Sequence, residues 1–206
     1  MTEPPVTRGF VGRRRPARPD RLPPGQYDAG EQWPVLAAEP TPLVATDRWS
    51  LTVDGLVEHE RTWDWAGLRA EPHERLTVDL HCVTAWSRLD TGFTGVRVAD
   101  LLAEAGPLPD ATHVLAHSST GYTANLPLAD VLDHPAWVVW EAQGAPLTPE
   151  HGGPARLLVP HLYLWKSVKW VSRLELMDHD DPGFWERGGY HDRGDPWREQ
   201  RYQGDP

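Results

Sequence analysis

From Trp49 onward the chain is broken into short runs that alternate apolar and polar residues, separated by turn residues. This punctuation constrains the fold more than any other feature. Trp49-Ser50-Leu51-Thr52-Val53 alternates and then meets Asp54-Gly55, the pattern of a half-buried strand entering a tight turn. Residues 76–82 alternate again, which predicts Leu76, Val78, Leu80 and Cys82 on one strand face. Further strands are predicted over 112–117, 122–126, 137–141, 156–159 and 170–176. Helices are fewer and short: one over 63–70 capped by Thr62, one over 98–105 stopped by Gly106-Pro107, and one over 128–132. No regular strand–helix–strand alternation is present, so the expected class is α+β, built on mixed β-sheets with short helices.

Composition excludes several functions. The 206 residues suit one globular domain with some wrapping chain, and a hydrophobic fraction of 39% supports a real core. No apolar run reaches the roughly 18 residues of a membrane span. Lys+Arg 20 against Asp+Glu 30 gives a net charge of −10, which argues against nucleic-acid binding. A single cysteine forbids a disulfide framework and any multi-cysteine metal site.

The charge is uneven. A Pro/Arg-rich N-terminal arm over 1–45 holds six arginines within its first 25 residues, and an acidic C-terminal tail over 179–206 follows the central 46–178 domain. Such ends read as solvated arms, the alternative for the N-terminal one being an extended course packed across the core. Arg13-Arg14-Arg15 lacks the apolar stretch of an export signal, so a cytoplasmic location is expected.

Three features carry chemistry. Cys82 closes a predicted strand and enters the polar, aromatic loop Val83-Thr84-Ala85-Trp86-Ser87, where a thiolate is held while a ligand has access. On its own, a core-facing cysteine also reads as a small hydrophobe. His151-Gly152-Gly153-Pro154-Ala155-Arg156 is a turn whose free amides, with a His and an Arg at its ends, suit an anion. Finally, both lysines of the chain lie in Lys166-Ser167-Val168-Lys169-Trp170, against 18 arginines elsewhere. Alternation there puts Ser167 and Lys169 on one face and Lys166 and Val168 on the other. One thiol and a dispersed cradle of His151, Arg156, Ser167 and Lys169 suggest a phosphorylated cofactor.

In order and spacing, Leu-His-Cys-Val-x-x-Trp-Ser at 80–87, Gly121-Tyr122-Thr123, Leu126-Pro127-Leu128, the 151–156 turn and the run from Pro160 to Trp170 resemble the molybdopterin-dependent oxidoreductases. That group includes sulfite oxidases and the catalytic subunit of bacterial methionine-sulfoxide reductase. The resemblance, from about Trp49 to Met177, implies a sulfite-oxidase-type molybdopterin-binding fold and a Mo-molybdopterin cofactor. It implies Cys82 as the one protein thiolate on molybdenum, and His151, Arg156, Ser167, Val168 and Lys169 around the pterin phosphate. Lys166 is secondary, and Trp86 and Ser87 are candidates for the shell around the sulfurs.

The activity implied is oxygen-atom transfer on a small, sulfur-containing or other, substrate, with a separate electron-transfer partner. Sulfite oxidases carry basic residues just after the cysteine, and here only Arg88 is placed to substitute. The chain runs about 36 residues past Trp170, a layout without an immunoglobulin-like dimerisation domain or a haem module. Two other classes fit the residues: a thiol enzyme using Cys82 with His81 or His117 as base, and a non-catalytic module that binds a phosphorylated ligand.

Overall fold

The computed structural model describes residues 20–206; Arg8, Arg13, Arg14, Arg15 and Arg18 lie outside the described residues. Every strand expected from alternation is present. In chain order the strands are β1 (Tyr27–Asp28), β2 (Ser50–Gly55), β3 (Arg61–Asp64), β4 (Glu74–His81), β5 (Trp86–Arg97), β6 (His113–Ser118), β7 (Thr123–Pro127), β8 (Trp137–Ala142), β9 (Ala145–Pro146), β10 (Arg156–Leu158) and β11 (Val171–Met177). The α-helices are α1 (Trp65–Ala70), α2 (Val98–Ala105), α3 (Ala129–Leu132) and α4 (Phe184–Arg187). They form two sheets among the described residues. One is ordered β1-β5-β8-β10, with β4 also on β5 and β9 on β8; the other is ordered β3-β2-β11-β6-β7. Both are mixed, because β1 runs parallel to β5 and β2 parallel to β11 while the other pairs are antiparallel.

Local chemistry accounts for most boundaries. In α2 the buried residues Val98, Leu101, Leu102 and Ala105 follow helical spacing, and Gly106 stops the helix at φ 69 while its N–H donates to the Leu102 carbonyl. The first helix starts later than expected. Thr62 and Trp63 belong to β3, drawn there by pairing with Thr52 and Leu51, and Asp64 caps α1 by accepting from the Gly67 N–H. Strand β4 departs from simple alternation. A register shift between Val78 and Leu80 leaves Leu80, His81 and Cys82 all buried in succession.

The longest strand, β5, was not expected. Its two glycines and Asp90 weaken the local signal, and its strand character comes from pairing with β4 on one edge and β8 on the other. A larger core lies around Trp49, Leu51, Leu101, Leu126, Val138 and Leu174, and a smaller one around Leu80, Phe93, Trp137, Val139 and Leu158.

Within the described residues, neither terminal segment is simply solvated. The described part of the N-terminal arm takes the extended, packed course: Arg21 pairs with Asp79 and Asp90, and β1 joins the sheet. The solvated reading of the acidic C-terminal segment is corrected by α4. There Glu186 is 0% exposed and meets Lys166, also 0% exposed, at 2.6 Å. The Lys166 ammonium donates as well to the carbonyls of Asn125 and Asp192, and Trp165 Nε1 donates to Glu186. The net acidity of the tail hid one carboxylate matched to one of only two lysines. Removing one partner of a buried ion pair leaves a desolvated charge, so Glu186→Ala is expected to lower stability by about 3–5 kcal/mol in denaturant unfolding.

Candidate functional site

Cys82 stands where β4 ends. Its thiol lines a cavity of about 300 Å³ while only 7% of the residue is exposed. The following turn is tight: Ala85 adopts φ 70, its N–H donates to the Cys82 carbonyl, and the Cys82 N–H donates to the Trp86 carbonyl. This turn brings the Thr84 hydroxyl to 3.2 Å from Sγ.

Across the cavity lies the turn before β10. The 3-10 turn Pro149–His151 is ended by Gly152 at φ 101. A Cβ at Gly152 would sit 3.0 Å from the Cβ atoms of both Arg156 and Lys169, so glycine allows the turn to close against both cations. Arg156 is 2% exposed, and its guanidinium donates to the carbonyls of His151 (3.0 Å), Ser167 (2.8 Å) and Leu157 (3.4 Å). Among the described residues none of these acceptors is a carboxylate. Burial pushes Arg156 down to about 10, which still leaves it charged at neutral pH. Three of its five N–H donors are used, so two are free to face an anion.

His151 stacks on Trp33 with ring centroids 4.0 Å apart. Its Nε2–H donates to the Trp33 carbonyl and its Nδ1 accepts from the Thr148 hydroxyl, the arrangement of a neutral ring. Burial holds its pKa below the ordinary value.

The 166–170 segment divides as expected, although it follows the 3-10 turn Leu164–Lys166 and is not a strand. Ser167 and Lys169 line the cavity; Lys166 and Val168 do not. The side chain of Val168, expected at the cofactor, packs into the larger core instead, and its carbonyl accepts from the Leu157 N–H. The Ser167 hydroxyl accepts from the Val159 N–H. Lys169 donates to the carbonyls of Leu36 (2.8 Å) and Glu150 (2.6 Å). Burial first, and then repulsion by Arg156, push it down to about 8, while Cys82 and Glu150 pull the other way. The thiol and the cations therefore share one electrostatic space.

The rest of the wall comes from parts of the chain that carried no motif. Trp33, Leu36 and Glu39 close it from the N-terminal arm, and Trp185 and Tyr190 from the C-terminal segment. The Tyr190 phenol is pushed up by burial, then by Tyr202 and by Cys82. Tyr122 also lines the cavity and donates to the Trp165 carbonyl. The sequence signal for Trp33, Trp185 and Tyr190 was only the density of aromatics, 11 Trp among them, whereas Tyr122 stood in the Gly121-Tyr122-Thr123 stretch of the resemblance. Trp86 is a cavity residue as well as a core one, and its buried indole N–H has no partner among the described residues. Ser87 lies behind the loop, bonded to His81 and Gln26.

The bases considered for a thiol enzyme are elsewhere. His81 donates to Ser87 on the far side of the strand and is driven to about 4 by burial, and His117 pairs with Glu175 in the other sheet. Arg88 lies over the Trp33 ring at 5.2 Å and is not among the cavity-lining residues.

Comparisons with known proteins point to one family. A family model described as the oxidoreductase molybdopterin binding domain matches residues 38–185. Over 197 residues the chain is 42% identical to the uncharacterized oxidoreductase YuiH of Bacillus subtilis (strain 168), covering 95% of this chain and 99% of that one. It is 30% identical to the protein-methionine-sulfoxide reductase catalytic subunit MsrP of Gluconobacter oxydans, over 68% of this chain and 50% of MsrP. With the mitochondrial sulfite oxidase of Drosophila melanogaster it shares 28% identity over 80% of this chain and 33% of that one. Among solved structures, the sulfane dehydrogenase SoxCD from Paracoccus pantotrophus superposes with a TM-score of 0.64 and 25% identity, covering 72% of this chain and 42% of that one.

The cradle has a pH signature of its own. Lys169 carries its charge below about 8 and loses it as pH rises through that value, so anion binding is strongest on the acid side. Pyrophosphate binding, followed by tryptophan quenching, is expected to weaken as pH rises through about 8. Lys169→Met is expected to bind more weakly and to lose that step.

Proposed function

The chain belongs to the family of oxidoreductase molybdopterin-binding domains, and on that premise we propose that it holds one Mo-molybdopterin with Cys82 as the single protein ligand to molybdenum. The supporting observation is the pairing, across one cavity, of a nearly buried thiol with Arg156 and Lys169, whose hydrogen bonds among the described residues go only to backbone carbonyls.

The residues present fit such a group. A buried guanidinium without a counter-ion is costly, and a phosphate supplies the missing charge. The free donors of Arg156, with the remaining N–H of the Lys169 ammonium and the Ser167 hydroxyl, would hold that phosphate, beside the His151 ring, whose two nitrogens are bonded to Trp33 and Thr148. The orphaned Trp86 N–H supplies one more donor beside Cys82 for a polar edge or a sulfur. When bound, the cofactor supplies the two-electron and oxygen-atom chemistry.

This chain's own residues do the rest. The strand end fixes the cysteine, and Thr84 holds a hydroxyl on its sulfur. The aromatic walls of Trp33, Trp165, Trp170 and Trp185 exclude water and strengthen every charge interaction inside. The activity proposed is oxygen-atom transfer to or from a small substrate, with electrons passing to a separate carrier. The cations that line the cavity are those assigned to the cradle, and Arg88 is turned onto Trp33, which disfavours sulfite itself. A sulfur-containing substrate of another kind is favoured, in keeping with the sulfur chemistry in the names of MsrP and SoxCD.

Metal analysis of protein made in a host that synthesises molybdopterin tests the proposal. About one molybdenum per chain is expected, lost in Cys82→Ser; a metal-free and pterin-free preparation overturns it. A protein that retains pterin with Cys82 replaced, and turns nothing over, would instead be a binding module. Arg156→Ala removes a charge-assisted bond worth about 1.5–3 kcal/mol, so cofactor retention should fall about 10- to 150-fold, and full occupancy in that variant would refute the cradle.

A further inference from the structure

The turn that carries Cys82 is held from both ends of the chain. Gln26 Nε2 donates to the Cys82 carbonyl at 2.9 Å, the Tyr27 N–H donates to the Ala85 carbonyl at 3.0 Å, and Arg201 Nη1 donates to the Val83 carbonyl at 3.1 Å. The Gln26 amide is itself oriented. His81 Nδ1–H donates to the Ser87 hydroxyl, which donates to Gln26 Oε1, so the amide nitrogen must face Cys82. Arg201 is placed in turn by its guanidinium lying over the Tyr163 ring at 5.8 Å.

The turn needs such support. Ala85 sits at φ 70, a left-handed conformation that side chains with a Cβ rarely adopt and that persists only when its surroundings over-determine it. That conformation brings the Thr84 hydroxyl to Sγ and aims the thiol into the cavity. Gln26 and Arg201 also lie outside the family match over 38–185, in the segments that flank the matched domain.

We propose that Gln26 and Arg201 are positioning residues that fix the 82–85 turn and thereby set the direction of the Cys82 sulfur and its hydrogen bond from Thr84. The proposal rests on the assignment of Cys82 as the molybdenum ligand. It adds that the two terminal segments govern how that ligand is presented. Neither residue touches the sulfur; each acts through a backbone carbonyl of the turn. For a sulfur bound to a metal, its direction and its hydrogen bonds tune the metal's potential, so the effect reaches the redox centre.

Two readouts test this in the full-length chain. In protein made without molybdopterin, iodoacetamide enters the cavity, and attack by a thiol on a residue only 7% exposed is faster when the 82–85 turn is free to move. Losing one clamp is therefore expected to speed Cys82 alkylation about two- to tenfold. In molybdenum-loaded protein the same variants are expected to shift the metal's midpoint potential and its electron paramagnetic resonance signal at unchanged metal content. The informative variants are Gln26→Glu and Arg201→Ala, with Arg187→Ala as control. Gln26→Glu keeps the size of the side chain and the acceptor for Ser87 but cannot donate to the Cys82 carbonyl. A space-filling role predicts that it behaves as wild type; a positioning role predicts that it does not.

Wild-type alkylation and an unmoved potential in Gln26→Glu and Arg201→Ala would overturn the proposal. So would an equal acceleration in Arg187→Ala, whose exposed ion pair is with Asp181 and not with the turn. Faster alkylation with an unmoved potential would refute the link to the metal. If Cys82→Ser keeps its molybdenum, the ligand assignment fails, and the alkylation rates still report whether the clamps hold the turn.

Discussion

Arg156 places a positive charge inside the protein and surrounds it with backbone carbonyls. Its bonds to His151 and Ser167 tie the glycine turn before β10 to the corner after the 3-10 turn Leu164–Lys166, and its third bond, to Leu157, runs along its own strand. Lys169 is drawn to the same place and bonds the carbonyls of Leu36 and Glu150. The dipoles of these carbonyls offset part of the desolvation of each cation and none of the net charge. The cavity is thus held open by interactions that leave it electrically incomplete. This is the state in which a ligand phosphate gains most from binding and in which a neutral ligand gains little. It also explains why Lys169 loses basicity: burial acts first and the neighbouring guanidinium second.

The two lysines of the chain serve opposite purposes three residues apart. Lys169 faces the cavity, while Lys166 is sealed behind it among Glu186, Asn125 and Asp192. The second arrangement is a closed account of charge: one ammonium, one carboxylate and carbonyls filling the remaining donors. Its effect is mechanical. It draws α4 and the segment after it onto Trp165, where Gly194 approaches so closely that a Cβ would lie 2.5 Å from the indole. That approach carries Trp185 and Tyr190 to the cavity wall. The N-terminal arm closes the other side through the Trp33 and Leu36 carbonyls, so that wall is secured by two side chains that line the site, His151 and Lys169.

Much of this was legible in the residues. Short runs marked off by turn residues located β2, β4, β6, β7, β8, β10 and β11; β2 alternates because one face meets the core, while residues 137–140 of β8 and all of β10 are buried on both faces. Glycine and proline chemistry located the end of α2 and the turn at 151–156. The unusual pairing of both lysines singled out the right segment, and two-fold periodicity separated Ser167 and Lys169 from Lys166 and Val168 even though the backbone there is not a strand. What failed did so for physical reasons. Strand β5 is flanked on both edges, so its residues satisfy partners and not a local pattern. The C-terminal segment looked solvated because a sum of charges cannot show that one glutamate is buried against one lysine.

By itself the sequence determined the kinds of elements, their order and the residue types brought to the site, since these follow from spacing, turn preference and side-chain chemistry within a few neighbours. Only the tertiary structure decided what faces Cys82. Lys169 and Leu36 are 133 positions apart, and Arg201 and Val83 are 118 apart. Contacts of that span leave no mark on local periodicity. They are selected by the summed burial of the whole domain, which must first offset the entropy of bringing distant segments together before any single hydrogen bond between them can form.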